Sequence, residues 1–125
     1  TPWLKVNDNY KTVNAAVEEN DPNSTLNYFR KMIALRKGSP ALIYGAYKLY
    51  DGDHTKIYAY TRMQDNEKLL VVMNFSNDAV DYALPTPIAT FSKGNLLINN
   101  YSDFNIDKEK AVLHLKPWQA VILKQ

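Results

Sequence analysis

A chain of 125 residues, 46% of them hydrophobic, has room for one domain with a real core and not for two of ordinary size. Its 15 basic and 13 acidic residues are interspersed, and a net charge of +2 is too weak a field to draw nucleic acid or an anionic membrane. Cysteine is absent, which excludes disulfides, thiolate catalysis and cysteine-based metal sites, and fits a reducing cytoplasm.

No apolar run approaches the roughly 20 residues that span a bilayer, and no basic-then-apolar signal segment opens the chain. Residues 1–20 are polar and Asn-rich and predict a loop, with one brief helix hinted at by Val13, Ala15, Ala16 and Val17. Trp3 stands in this stretch with no apolar periodicity to bury it. "DPNSTLNYFRKMIALRKGSP" then carries both helix boundaries, with Asp21 as N-cap, Pro22 in the first helical position, and Gly38 and Pro40 as a stop. Arg36 and Lys37 in its last turn complement the helix dipole. Leu26, Phe29, Met32 and Ile33 recur at helical spacing, so residues 21–38 are expected to form an amphipathic helix.

After Pro40 the period moves toward two, and β-branched and aromatic residues come in short runs broken by turn residues. "ALIYGAYKLY", "KIYAYTRM" and "KLLVVMNF" read as three strands joined by hairpins, and "AVDYALP", "GNLLINNY", "AVLHL" and "PWQAVILK" supply four more. Seven short strands without intervening helices predict a mainly β protein, an antiparallel β-sandwich over 41–125, preceded by a loop and one helix.

Sites are sparse. "DGDHT" at 51–55 opens like a calcium loop, but the sixth position is Lys56 and the twelfth Arg62, where glycine and a bidentate glutamate are required; it reads as a hairpin turn. His54 and His114 lack zinc-motif spacing. Sequons occur at Asn23, Asn74 and Asn100, and Asn74, closing an apolar strand, reads as a turn cap. Asp81 and Asp103 sit in turn-like or alternating contexts, and no convincing general acid and base pair is offered. Tyr44, Tyr47, Tyr50, Tyr58 and Tyr60 lie two or three apart on consecutive strands; cross-strand packing is their commoner use, and stacking on sugar rings the alternative. No residue is put forward as catalytic, cofactor-binding or metal-ligating, and no cofactor is implied.

Four stretches taken together, "PWLKVNDNY", "DPNSTLNYFRKMIALRKGSPALIYGAYKLY", "KLLVVMNFS" and "LKPWQAVIL", resemble the C-terminal end of α-glucosidases of the oligo-1,6-glucosidase and maltase type, in the α-amylase family of glycoside hydrolases. The likeness spans nearly the whole chain. It implies a parent enzyme with a catalytic (β/α)₈ barrel, of which residues 1–20 would be the remnant of a barrel loop and 21–38 the last barrel helix, followed by the C-terminal β domain. The parent would be a cytoplasmic retaining glycosidase, working through two carboxylates roughly 5–5.5 Å apart. None of the family's catalytic motifs aligns here, so the chain alone is expected to be inactive and to meet oligosaccharide only through its parent. The barrel is the expected partner of Leu26, Phe29, Met32 and Ile33, whose burial is worth about 6–12 kcal/mol. Without it the helix is expected to fold back or to pair with another copy, and Trp3 to be poorly packed.

Overall fold

The computed structural model describes residues 3–125, which divide into two compact units, residues up to Arg36 and Lys37–Gln125. In the first, helix α1 (Ala15–Asn20) starts where the Asn14 side chain accepts from the Val17 N–H, and helix α2 (Thr25–Lys37) follows after a short turn. The predicted N-cap is displaced. Asp21 accepts from the Asn23 N–H in a side-chain turn, and Ser24 does the capping, its Oγ accepting from the Asn27 N–H at 3.2 Å. Asn27 Nδ2 reaches back to the carbonyls of Glu18, Glu19 and Asp21, so the end of α1 is satisfied by the start of α2. Neither helix has a buried residue.

The second unit opens with a helix where a strand was expected. Residues Pro40–Tyr44 form α3, because Ser39 caps it through the Leu42 N–H and proline occupies its first turn. The strands are β1 (Ala46–Tyr50), β2 (Ile57–Gln64), β3 (Glu67–Asn74), β4 (Val80–Ala83), β5 (Asn95–Asn99), β6 (Asn105–Asp107), β7 (Val112–Leu115) and β8 (Ala120–Lys124), with a 3₁₀ helix over Thr86–Lys93. The short β6 has no counterpart among the seven predicted strands, and neither does the 3₁₀ helix.

One sheet runs β1-β2-β3-β8-β5 and the other β4-β7-β6, with every pairing antiparallel. Alternation places Ile57, Ala59, Leu70, Val72, Val121 and Leu123 on the inner face of the first sheet, against Tyr82, Leu113 and Leu115 of the second. Ile88 and Phe91 of the 3₁₀ helix complete this core, so the domain is the antiparallel sandwich that the strand pattern predicts.

Helix α3 is clamped onto the sheet at both ends. Glu67 accepts from Ser39 Oγ and the Ala41 N–H at its start, and Arg62 donates to the carbonyls of Ala41 and Ile43 at its end. A carboxylate at the N-terminus and a guanidinium at the C-terminus both complement the helix dipole. Gly45 makes this approach possible, since a Cβ there would collide with the Ala41 carbonyl and crowd the Met63 N–H.

Candidate functional site

Most residues singled out in the sequence have structural employment. His54 Nδ1 accepts from the backbone of Lys56 and Ile57, and its ring meets Tyr82 edge-on at 5.9 Å. Asp51, in the same hairpin turn, holds a left-handed φ of 49° and accepts from the Tyr82 hydroxyl of the opposite sheet at 2.7 Å. Burial, and then that carboxylate, push the Tyr82 phenol above its ordinary pKa. His114 faces Asp81 across the β4–β7 pair at 2.7 Å. Asn74 is buried and donates to the carbonyls of Asp78 and Lys116, so it is the turn cap read from sequence. Among the described residues no three of His, Asp or Glu gather where a metal ion could be held.

The five tyrosines separate. Tyr50 packs against the core, Tyr44 stands exposed at the end of α3, and Tyr47, Tyr58 and Tyr60 gather on the outer face of the larger sheet. The Tyr47 and Tyr58 hydroxyls bond to each other at 2.7 Å. That hydrogen bond is the main reason the Tyr47 phenol is pushed up to about 12. Cross-strand packing therefore describes these rings, with two hydroxyls engaged within the cluster.

At the end of the sandwich where β3 leaves and β8 begins lies an arrangement the sequence does not announce. The loops 75–78, 99–103 and 116–119 are laced together by amide side chains. Buried Gln119 donates to Asn99 Oδ1 and accepts from the Lys116 N–H; Lys116 pairs with Asp103 at 2.7 Å, which holds that carboxylate below its usual range. Trp118, read in the sequence as the start of a strand, precedes β8 instead and sits in the left-handed region at φ 56°. Its Nε1 donates to Asn77 Oδ1 at 2.9 Å, its N–H to the Ser76 carbonyl, and its carbonyl accepts from Asn100 Nδ2. Trp118 is still 53% exposed; exposed as well are Phe75, at the start of the 75–78 loop, and Tyr101, whose hydroxyl donates to the Pro117 carbonyl. Pro117 was the available signal, because the residues around it form a turn and not a continuing strand.

Other exposed apolar residues concentrate in the first unit. Trp3 is 93% exposed, Phe29 is 60% and Ile33 38%, and Leu4, Val13 and Val17 are open as well. An open groove of about 370 Å³ there is lined by Glu19, Asn20, Pro22, Asn27, Arg30 and Lys31, but Arg30 is paired with Glu19 and Lys31 with the Pro22 carbonyl.

Residues 57–122, more than half of the chain, match the family model described as the alpha-amylase SusG C-terminal domain, and residues 1–45 match that of the alpha amylase catalytic domain. An oligo-1,6-glucosidase of Parageobacillus thermoglucosidasius is 42% identical over 99% of this chain and 22% of its own length. Among solved structures, isomaltulose synthase from Erwinia rhapontici NX5 superposes with a TM-score of 0.86 at 42% identity, over 99% of this chain and 22% of that one. Trehalose-6-phosphate hydrolase from Bacillus licheniformis does so with a TM-score of 0.87 at 34% identity, with the same coverage. The chain thus spans about a fifth of the length of the curated relatives it matches. On the sandwich topology and these matches together, it belongs to the α-amylase family and carries the SusG-type C-terminal domain of that family.

Proposed function

We propose that the chain is the non-catalytic C-terminal portion of an α-glucosidase that hydrolyses the α-glucosidic bonds of short malto- or isomalto-oligosaccharides. The observation that carries this reading is the tandem order of the two family matches, catalytic domain through residue 45 and C-terminal domain from residue 57. In this reading residues 1–20 end a barrel loop, 21–38 form the last barrel helix, and 41–125 are the β domain that supports the barrel. The stripe of Leu26, Phe29, Met32 and Ile33 docks on the barrel strands; its support is that Phe29 and Ile33 are exposed on a helix without a buried residue. In isolation the same stripe pairs with a second copy.

The relatives act differently by name, one as an oligo-1,6-glucosidase, one as an isomaltulose synthase and one as a trehalose-6-phosphate hydrolase, while sharing this fold. Reaction and linkage preference therefore belong to the barrel. Among the described residues no helix is long and apolar enough to cross a membrane, and the cysteine-free composition supports a reducing compartment; we assign the enzyme to the cytoplasm.

The test is to express the barrel, residues 1–40 included, with and without residues 41–125 and to follow p-nitrophenyl α-glucoside hydrolysis. The chain alone should turn over nothing, and the barrel alone should lose solubility and activity. A barrel that is fully active and stable without residues 41–125 would sink the supporting role.

A further inference from the structure

Trp118 combines two costs in one residue. A bulky aromatic side chain on a left-handed backbone is strained by about 1–3 kcal/mol, and glycine or asparagine would make the same turn without that strain. Its ring is also half exposed, which forfeits apolar burial. What the protein gains is position. The indole N–H, the peptide N–H and the peptide carbonyl are each engaged, by Asn77, Ser76 and Asn100, so the side chain cannot swing and needs no polar partner from outside. With its polar atoms engaged, what Trp118 offers another molecule is apolar ring surface.

The neighbouring loops carry amides and paired charges. Asn77 spends its oxygen on the indole, and its exposed Nδ2 makes no bond among the described residues. The charges nearby are paired, Lys116 with Asp103 and Lys56 with Asp78 next to Asn77. A fixed apolar plate edged by carboxamide hydrogens, with the nearby charges already paired, suits a ligand with an apolar face and neutral hydroxyls around its rim. A pyranose has that form: its axial C–H bonds present an apolar face, and its hydroxyls can accept from Asn77 Nδ2.

We propose that Trp118 is a surface binding site for a neutral glucose unit of an α-linked oligosaccharide, stacked on the indole and hydrogen-bonded to Asn77. The choice of an α-glucoside rests on the α-glucosidase reading; the stacking site rests on the geometry of the loop.

The chain has two tryptophans, so its indole N–H resonances can be assigned with Trp3→Phe and followed during titration with isomaltotriose and with maltotriose, cellotriose serving as a β-linked control. The Trp118 resonance should shift saturably with a millimolar dissociation constant while that of Trp3 stays fixed. Asn77→Ala should weaken binding several-fold, and Trp118→Asn, which tolerates the left-handed backbone, should abolish it with the β domain still folded. A shift that does not saturate, or equal movement of both indoles, overturns the site. So does protection of Trp118 from N-bromosuccinimide in the sugar-free full-length enzyme, since the ring would then be covered by protein. Hydrolysis of α-glucosides by that enzyme is scored separately. Turnover without a Trp118 shift refutes the site and keeps the activity reading, whereas saturable binding without turnover keeps the site and refutes the activity reading.

Discussion

Ser39 Oγ donates to Glu67 Oε2 over 2.8 Å, joining two residues 28 positions apart. The same carboxylate oxygen takes the Ala41 N–H, and its partner oxygen takes the Lys124 ammonium at 3.0 Å. One glutamate thereby fixes the start of α3 to β3 and β8.

Glu67→Ala should lower stability by about 1–2 kcal/mol, the usual cost of losing a cap and a charged hydrogen bond, read as a lower urea midpoint at unchanged slope. The pH dependence has a definite sign. The Lys124 ammonium first, and then the backbone and Ser39 donors, hold the Glu67 carboxyl below its ordinary pKa. Its contribution is therefore complete above the unfolded value of about 4 and lost as pH falls through the folded one. The wild-type advantage over Glu67→Gln should stay constant from about pH 6 to 8 and shrink on acidification toward pH 3.

The contact between Tyr82 and Asp51 links the first hairpin turn of one sheet to the other sheet. Tyr82→Phe keeps the buried ring and removes a hydrogen bond to a carboxylate, so unfolding should become easier by about 1.5–3 kcal/mol. Asp51→Asn keeps an acceptor and tolerates the left-handed backbone, and should cost less than half as much. Equal losses in the two variants would show that the carboxylate charge, rather than the presence of an acceptor, carries the contact.

Thr61 lies fully buried on the inner face of β2 with its hydroxyl unpartnered among the described residues. Thr61→Val keeps the shape and removes an unsatisfied polar group, so the domain should gain about 1 kcal/mol, seen as a higher thermal midpoint.

Phe29 and Ile33 lie one helical turn apart on α2 and are both exposed. The Phe29→Glu/Ile33→Lys double variant should sediment as a monomer at concentrations where the unaltered chain self-associates. Concentration-independent sedimentation of the unaltered chain would remove self-pairing from the account.

The period-two pattern carried most of the β domain, since strands such as Ile57–Gln64 alternate buried and exposed residues along the inner half of their length. It failed where tertiary contacts decide. "ALIY" is an apolar run without a period, and it becomes helix because Ser39 and Pro40 start one and Glu67, far along the chain, completes the cap. Here the local start signal of Ser39 and Pro40 prevails over the β propensity of the run that follows. Residues 105–107 offer too few positions to show any period, and they become a strand only beside β7. Asp21 and Ser24 are equally good caps by composition, and Ser24 prevails because Asp21 is held in its own side-chain turn. Trp118 shows the deeper limit: a left-handed backbone angle leaves no trace in residue type when the residue is not glycine or asparagine.

The strand order also sets a schedule. β8, last in sequence, lies between β3 and β5. As the chain leaves the ribosome, the β1–β2–β3 meander can form early, but its open edge and that of β5 wait for the same five residues. Until Ala120–Lys124 emerge, both edges are exposed templates for intermolecular pairing. Slow translation of this stretch, or a premature stop before it, should leave nascent chains that depend on chaperones, which makes arrival of the closing strand the step that seals the larger sheet.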